Sequence, residues 1–598
     1  MQLHAIDWVI AIAAVAICFI PALFFGKRSG QNTTEFFASG RSVPWWLAGL
    51  SMVATTFSSD TPNLVANFVR TQGVAGNWQW WAFTLTGVAT VFFYARLWRR
   101  SGVLTDLEFY ELRYSGKAAS TVRGFRAIYL GLLFNCMIMA TVNLAAVKIA
   151  AVLFGFERWQ TLLAVGILNV VFAAHSGLWG VLVIDMVQFF IKMSAVIAAA
   201  YFAVTLPQVG GLHGLVAKLS HMHGPNGVNY LAMLPDFRNN WDLAVAVFVM
   251  PIAVQWWAVW YPGAEPGGGS YIAQRMLASK SEKDALGGTL FFNVAHYVLR
   301  PWPWILVGLA SLIIYPQLSD IQKAFPNLDP RLIGHDIAFP AMLRFLPTGW
   351  IGLMLGGLVA ANSSTILTHL NWGASYLVHD FYRRFINTGA AERHYVVAGR
   401  VATVILFVAS SSLVFALDTA QGAFNIILQV GAGTGLLYLV RWFWWRVTAW
   451  CEIVAMVVSF LVSAVFLYMT KQGTAPGSAQ QLMIGIAITT VCWLLMAYLG
   501  PQTDEATLVE FFRKVHPMGP GWAPIRVKAG IPDAVLAAES DNFPLSLLGW
   551  FVGCIMIWSA LFAVGNFLYG RMGYASALLA VFVVSAGILI SVIRRLWR

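Results

Sequence analysis

The stretch 356–375, "GGLVAANSSTILTHLNWGAS", carries no charge yet is dense in side-chain oxygen. Ala361, Ser364, Thr365 and Thr368 follow i, i+3, i+4, i+7, which puts them on one stripe of a helix. A small hard cation such as sodium is held by oxygens, about five of them, and hydroxyls with free backbone carbonyls supply these without a buried carboxylate. The competing reading is that these hydroxyls bond back to their own helix or pack against a neighbour.

The free carbonyls would come from a broken helix. "SMVATTFSSDTP" (51–62) holds six hydroxyl residues besides Asp60, and Pro62 ends the run. Inside a bilayer every backbone group needs a partner, so a break at that depth is expected where it lines a site or cavity. A second break is written in "WWAVWYPGAEPGGGS" (256–270), with two prolines, four glycines and Glu265. Either alone is explained by a kinked helix. At matching positions of two halves, such breaks point to a secondary transporter built from inverted repeats.

The elements that must hold these residues are membrane helices. Of 598 residues 59% are hydrophobic and 11% charged, against roughly 25% charged in soluble proteins. This excludes a soluble enzyme, a disordered chain and a nucleic-acid binder despite the net charge of +12. Cys18, Cys136, Cys451, Cys492 and Cys554 fit neither a disulfide framework nor a metal site. A span takes ~20 mainly apolar residues, which predicts about fifteen, near 5–25, 43–69, 77–98, 124–154, 159–175, 178–206, 241–262, 286–315, 347–378, 395–417, 420–446, 450–470, 480–499, 545–567 and 573–594.

The first segment has no Lys or Arg before it, while Lys27 and Arg28 follow it directly. That polarity is opposite to a cleaved signal peptide and predicts a retained helix with its N-terminus outside. The segments then expected inside hold 26 of the 38 Lys and Arg residues, in line with the positive-inside bias. The C-terminus is accordingly expected in the cytoplasm. Segment 500–544 reads as a surface segment with a short amphipathic helix (Leu508, Phe511, Phe512), and 207–240 and 317–346 as external loops long enough to cover a solute pathway.

Four motifs now resemble a known family: "FFASGRSVPWW" (36–46), "SGLWGVLVIDMVQFF" (176–190), "YIAQRMLASKSEKDA" (271–285) and "AANSSTILTHLNWGASYLVHDFYRR" (360–384). In this order they resemble the sodium:solute symporter family, which includes sodium/galactose, sodium/proline, sodium/sialic acid and sodium/glucose cotransporters. The resemblance runs from about residue 36 to 450. It implies an all-α polytopic membrane protein with the leucine-transporter-type fold, two inverted five-helix repeats plus flanking helices. The implied organisation is an extra helix and loop (1–42), a first repeat (43–206), an external loop (207–240), a second repeat (241–446) and C-terminal extra helices (447–598).

It also implies sites. A main sodium ion would be bound by the carbonyls of Ala54, Phe57 and Ala361 and the hydroxyls of Ser364 and Thr365. Asp185 and Thr368 would serve a second sodium, with Leu367 standing where the family has another hydroxyl. Gln79 and Gln429 align with the family's solute-binding positions, and Asp60, an intramembrane carboxylate, with the aromatics Trp257 and Tyr261 is expected from residue type to meet the solute as well.

The reading is a sodium-coupled symporter, not an enzyme, for a small polar organic solute, with a sugar or sugar derivative favoured. It would sit in a plasma membrane of bacterial inner-membrane type as a monomer or weak homo-oligomer, with lipid, sodium and solute as its partners. Proton coupling through Asp60, Asp185 or Glu265 is the competing mechanism, and a transporter-like sensor the competing class. Lys148 and Lys192 are expected to snorkel or pair, Lys192 with Asp185 seven residues earlier. His175, His296 and His369 are expected as capping or satisfied core groups.

Overall fold

A computed structural model of the chain describes residues 3–258, 267–417, 433–531 and 542–596. The described residues are helical, with only isolated bridges at Val43–Ser279 and His223–Asn229. Ten helices among them are long and apolar enough to cross a bilayer; the other expected spans are merged, interrupted or partly outside the described residues. Arg158–Val204 is one stretch of 47 residues that takes up two expected spans. A straight helix of that length would reach about 70 Å, so it turns back at Gly177, whose φ of 54° and ψ of −158° no side chain tolerates well. The turn is tied down by Ser29 Oγ, which donates to the carbonyl of His175 (3.2 Å).

Three other expected spans are interrupted. Residues 43–69 form Trp45–Thr55 and Asp60–Gln72. Residues 77–98 form short pieces, Trp78–Trp81, Thr84–Ala89 and Ala95–Ser101, with a π-turn at Thr90–Tyr94. The described part of 241–262 ends in a 3-10 turn at Gln255–Trp257. Of 420–446, residues 420–432 lie outside the described residues.

The most buried of the ten spans is the one containing Trp350–Ser375. Without a hydrophobic drive between helices in lipid, close packing depends on small residues. Gly352 and Gly356 face the backbone of Asp7 and the methyl group of Ala14 on the first helix, and Gly357 faces Ala195 of the reversed pair. The outer helices Ala449–Lys471, Ser478–Leu499 and Met572–Leu596 are left largely to lipid.

The basic segments expected inside meet at one end of the bundle. Arg41 donates to the carbonyls of Gly102 and Val103, Arg99 to that of Ser279, and Arg383 pairs with Glu392. Arg123 bonds Asp380 (2.8 Å) and Glu111 (2.6 Å), and Arg384 bonds Glu111 (3.0 Å). Burial alone would raise the Glu111 carboxyl, but the bonds from Arg384, Ser120 and Arg123 outweigh it and hold it at about 2. Helix Glu505–Val515 buries Leu508, Phe511, Phe512 and Val515 against this end, and Trp522 Nε1 donates to the carbonyl of Trp442 (2.8 Å). At the other end, loop 207–240 covers the helix ends: Val74 N–H donates to Tyr230 O (3.0 Å) and Trp78 Nε1 to Met233 O (2.9 Å).

Candidate functional site

The half-helix Trp45–Thr55 stops because Thr56 to Ser59 leave the helical path before Asp60–Gln72 begins, with Pro62 in the tolerant first turn of the second piece. The last carbonyls of a helix have no partner within it, and here they are buried. Arg300 donates to Val53 O (2.9 Å) and Thr56 O (3.1 Å). Thr365 Oγ1 donates to Thr55 O (2.7 Å). Lys192 Nζ donates to Ala54 O (2.8 Å) and Phe57 O (3.2 Å). Two cations thus stand at the negative end of a half-helix dipole.

The hydroxyl stripe of Trp350–Ser375 faces this break. Thr365 also lies within 3.4 Å of Ala361 O, its own helical neighbour, and Thr368 Oγ1 is 3.0 Å from Thr55 Oγ1. Ser364 Oγ donates to Asp185 Oδ1 (2.6 Å), and Ser51 Oγ to Asp185 Oδ2 (2.5 Å). The Arg275 guanidinium reaches Thr368 Oγ1 (2.8 Å), Ser51 Oγ (3.2 Å) and, at 3.8 Å, Asp185. The residues expected for the two sodium ions are therefore drawn into one buried polar centre. Its oxygens are of the type a hard cation takes.

Protein cations are also present in it. Lys192 does not bond Asp185 as expected. Seven residues separate the two by about 10 Å along the helix, and Ser51, Ser364 and Arg275 satisfy the carboxylate instead. The ammonium turns to backbone carbonyls. Asp185 and Thr368, the pair expected for a second sodium, are both engaged by Arg275. Lys148 is paired as expected, with Asp336 (2.7 Å).

Two small cavities adjoin the centre and share Thr56 and His296, whose Oγ1 and Nδ1 are 3.0 Å apart. One, about 30 Å³, is lined by Asp60 with Ser58, Trp80 and Arg300. The other, about 40 Å³, is lined by Thr86, Thr90, Asn293 and Tyr297 among others. Of the residues expected to meet solute, Asp60 is at a cavity, with its carboxylate bonded by Ser58 Oγ. Gln79 lines neither of these two; its amide donates to Gln72 Oε1 (2.6 Å) and Gly76 O (3.2 Å). Trp257 is half-buried, and its indole N–H has no partner among the described residues. Tyr261, Gln429 and Glu265 lie outside the described residues.

Thr56, Arg300 and Arg275 were not singled out from sequence. The one available signal was Arg300, a charge within an apolar segment. His296 and His369 are satisfied core groups, His369 Nδ1 lying 2.5 Å from Asn135 Oδ1.

A helical membrane bundle with a buried polar centre at an interrupted helix is a transporter architecture. The sodium:solute symporter family matches residues 36–459, and the chain belongs to that family. It is similar to the sodium/glucose cotransporter of Vibrio parahaemolyticus, at 26% identity over 448 residues, covering 72% of this chain and 79% of the relative. It is similar as well to sodium/glucose cotransporter 1 of Oryctolagus cuniculus (23% over 516 residues, 79% and 75%). Among solved structures, a Na+-coupled sialic acid symporter in a substrate-bound, outward-open state superposes with a TM-score of 0.65 at 17% identity, covering 84% of this chain and all of the other. The fold is the leucine-transporter type, and the protein is a sodium-coupled membrane transporter, not an enzyme.

Because Asp185 and Arg275 are both fully buried, removing one charge strands the other, a loss of about 3–5 kcal/mol. Asp185→Asn and Arg275→Gln should each lower the thermal stability of the purified protein, and the double variant should lose much less than the sum. Strictly additive losses would mean the two groups are uncoupled.

Proposed function

We propose that the chain carries a small polar organic solute, of the sugar or sugar-derivative class, inward with sodium bound between the Ala54, Phe57 and Ala361 carbonyls and the Ser364 and Thr365 hydroxyls. The observation that carries this is the convergence of the 54–57 carbonyls and the 361–368 stripe on one buried centre, joined by the Thr365-to-Thr55 bond. The solute class is supported by the relatives named for glucose and sialic acid. Asp185 and Thr368 belong to a structural network around Arg275 or to a second, weaker sodium site. The residues proposed to meet the solute are Gln79, Asp60, Trp257, Tyr261 and Gln429.

The two inverted repeats span 43–206 and 241–446. The protein works in a plasma membrane of bacterial inner-membrane type, as a monomer or weak homo-oligomer, with its N-terminus outside and its C-terminus in the cytoplasm. The gathering of basic segments at one end of the bundle supports that orientation.

The coupling is tested by a thermal-shift screen of sugars, carboxylates and amino acids on purified protein in sodium and in potassium. A solute that binds with sodium stabilises by mass action. Thr365→Ala should raise the sodium needed at least about tenfold, equal to about 1.4 kcal/mol. Ser364→Ala should do the same while also lowering basal stability, because Ser364 holds Asp185. Unchanged sodium dependence in both variants removes the stripe from the mechanism. For orientation, a reporter fused to the C-terminus should be cytoplasmic and one inserted in 207–240 external; a C-terminus found outside reverses the assignment.

A further inference from the structure

Lys192 Nζ sits where two carbonyls of the broken helix converge, 2.8 Å from Ala54 O and 3.2 Å from Phe57 O, in a side chain only 1% exposed. Those are two of the five oxygens proposed for sodium. We propose that the Lys192 ammonium is a tethered cation that fills the main cation site when no sodium is bound, that sodium enters by displacing it, and that Lys192 thereby sets the affinity for sodium. The inference rests on the sodium-site reading above.

Several observations carry it. The placement is built into the packing: a side chain at Gly357, one turn before Ala361, would lie 3.1 Å from Ala195 Cβ and 3.7 Å from Lys192 Cα. The missing side chain lets the lysine helix close on the stripe helix. Arg300 donates to the Val53 and Thr56 carbonyls, while Lys192 donates to those of Ala54 and Phe57, the Ala54 carbonyl also accepting from the Phe57 N–H (3.1 Å). The charged and titratable groups facing the ammonium are Asp185 on its own helix, Arg300 from the helix pair 282–314, and the thiol of Cys18 from the first helix. The Phe57 ring lies 5.2 Å from Nζ.

The physical consequence is competition. A sodium ion coordinated by the Ala54 and Phe57 carbonyls would stand at the ammonium's own position, where two like charges repel in a medium far less screening than water. The two cannot share the site. A four-carbon flexible stem allows the lysine to leave, and bare carbonyls at bilayer depth favour its return once sodium has gone.

The test uses the full-length purified protein and sodium alone as the probe, with potassium as the control. It reads the sodium concentration giving half of the thermal stabilisation. In Lys192→Met that concentration should fall at least about tenfold from wild type, and adding Thr365→Ala to Lys192→Met should reverse the gain. If Lys192→Met does not fold, Lys192→Gln, which keeps a donor for the two carbonyls but no charge, carries the same expectation. An equal or higher sodium requirement in the uncharged variant overturns the proposal. That failure is separable from failure of the sodium-site reading: if Thr365→Ala still weakens the sodium response of the wild type, the site stands and only the role of Lys192 falls.

Discussion

A helix that stops inside a bilayer leaves carbonyls that water cannot reach, and every one of them needs a partner. In this protein that constraint falls on Val53 to Phe57. The partners come from three other segments: Arg300 from the stretch 282–314, Lys192 from the reversed pair, and Thr365 from the most buried span. None of the three can move without exposing a carbonyl. The break therefore acts as the junction at which separate helices are held in register, and the same carbonyls are available to an ion only when a protein group gives way.

The second layer of the centre follows from the first. Ser51 lies one turn before the break and Ser364 adjoins Thr365, so the helices meeting at the carbonyls also bring two hydroxyls to Asp185. Arg275 balances that carboxylate and reaches Thr368. Glycines on Trp350–Ser375 let its neighbours approach closely enough for these short bonds. At the basic end of the bundle, the pairs formed by Arg123, Glu111, Arg384 and Asp380 tie the loops between the same helices. The buried polar centre and a charged cluster at one end are thus linked through shared helices.

Much of this was legible in the residues because the signals are local. Six hydroxyls with Asp60 and Pro62 mark the first break, the i, i+3, i+4, i+7 spacing marks the stripe, and Leu508, Phe511 and Phe512 mark the buried face of the surface helix. The partner of Lys192 was not legible. Side-chain spacing offered Asp185, whereas the true acceptors are backbone carbonyls 135 and 138 residues away, and a carbonyl leaves no trace in residue type. The partner of Gln79 was not legible either: Gln72, seven residues earlier, accepts from its amide across a turn that only the folded chain forms. The split of the expected spans 159–175 and 178–206 coincides with the reversal at Gly177, whereas the cutting of 77–98 into short pieces leaves no mark in apolar content alone.

The central claim is that transport is driven by a cation bound at the broken helix. It is tested most directly by uptake of an identified solute into proteoliposomes under sodium and proton gradients imposed separately. Uptake should follow the sodium gradient and be absent with a proton gradient alone. Uptake driven by a proton gradient in the complete absence of sodium would contradict the account.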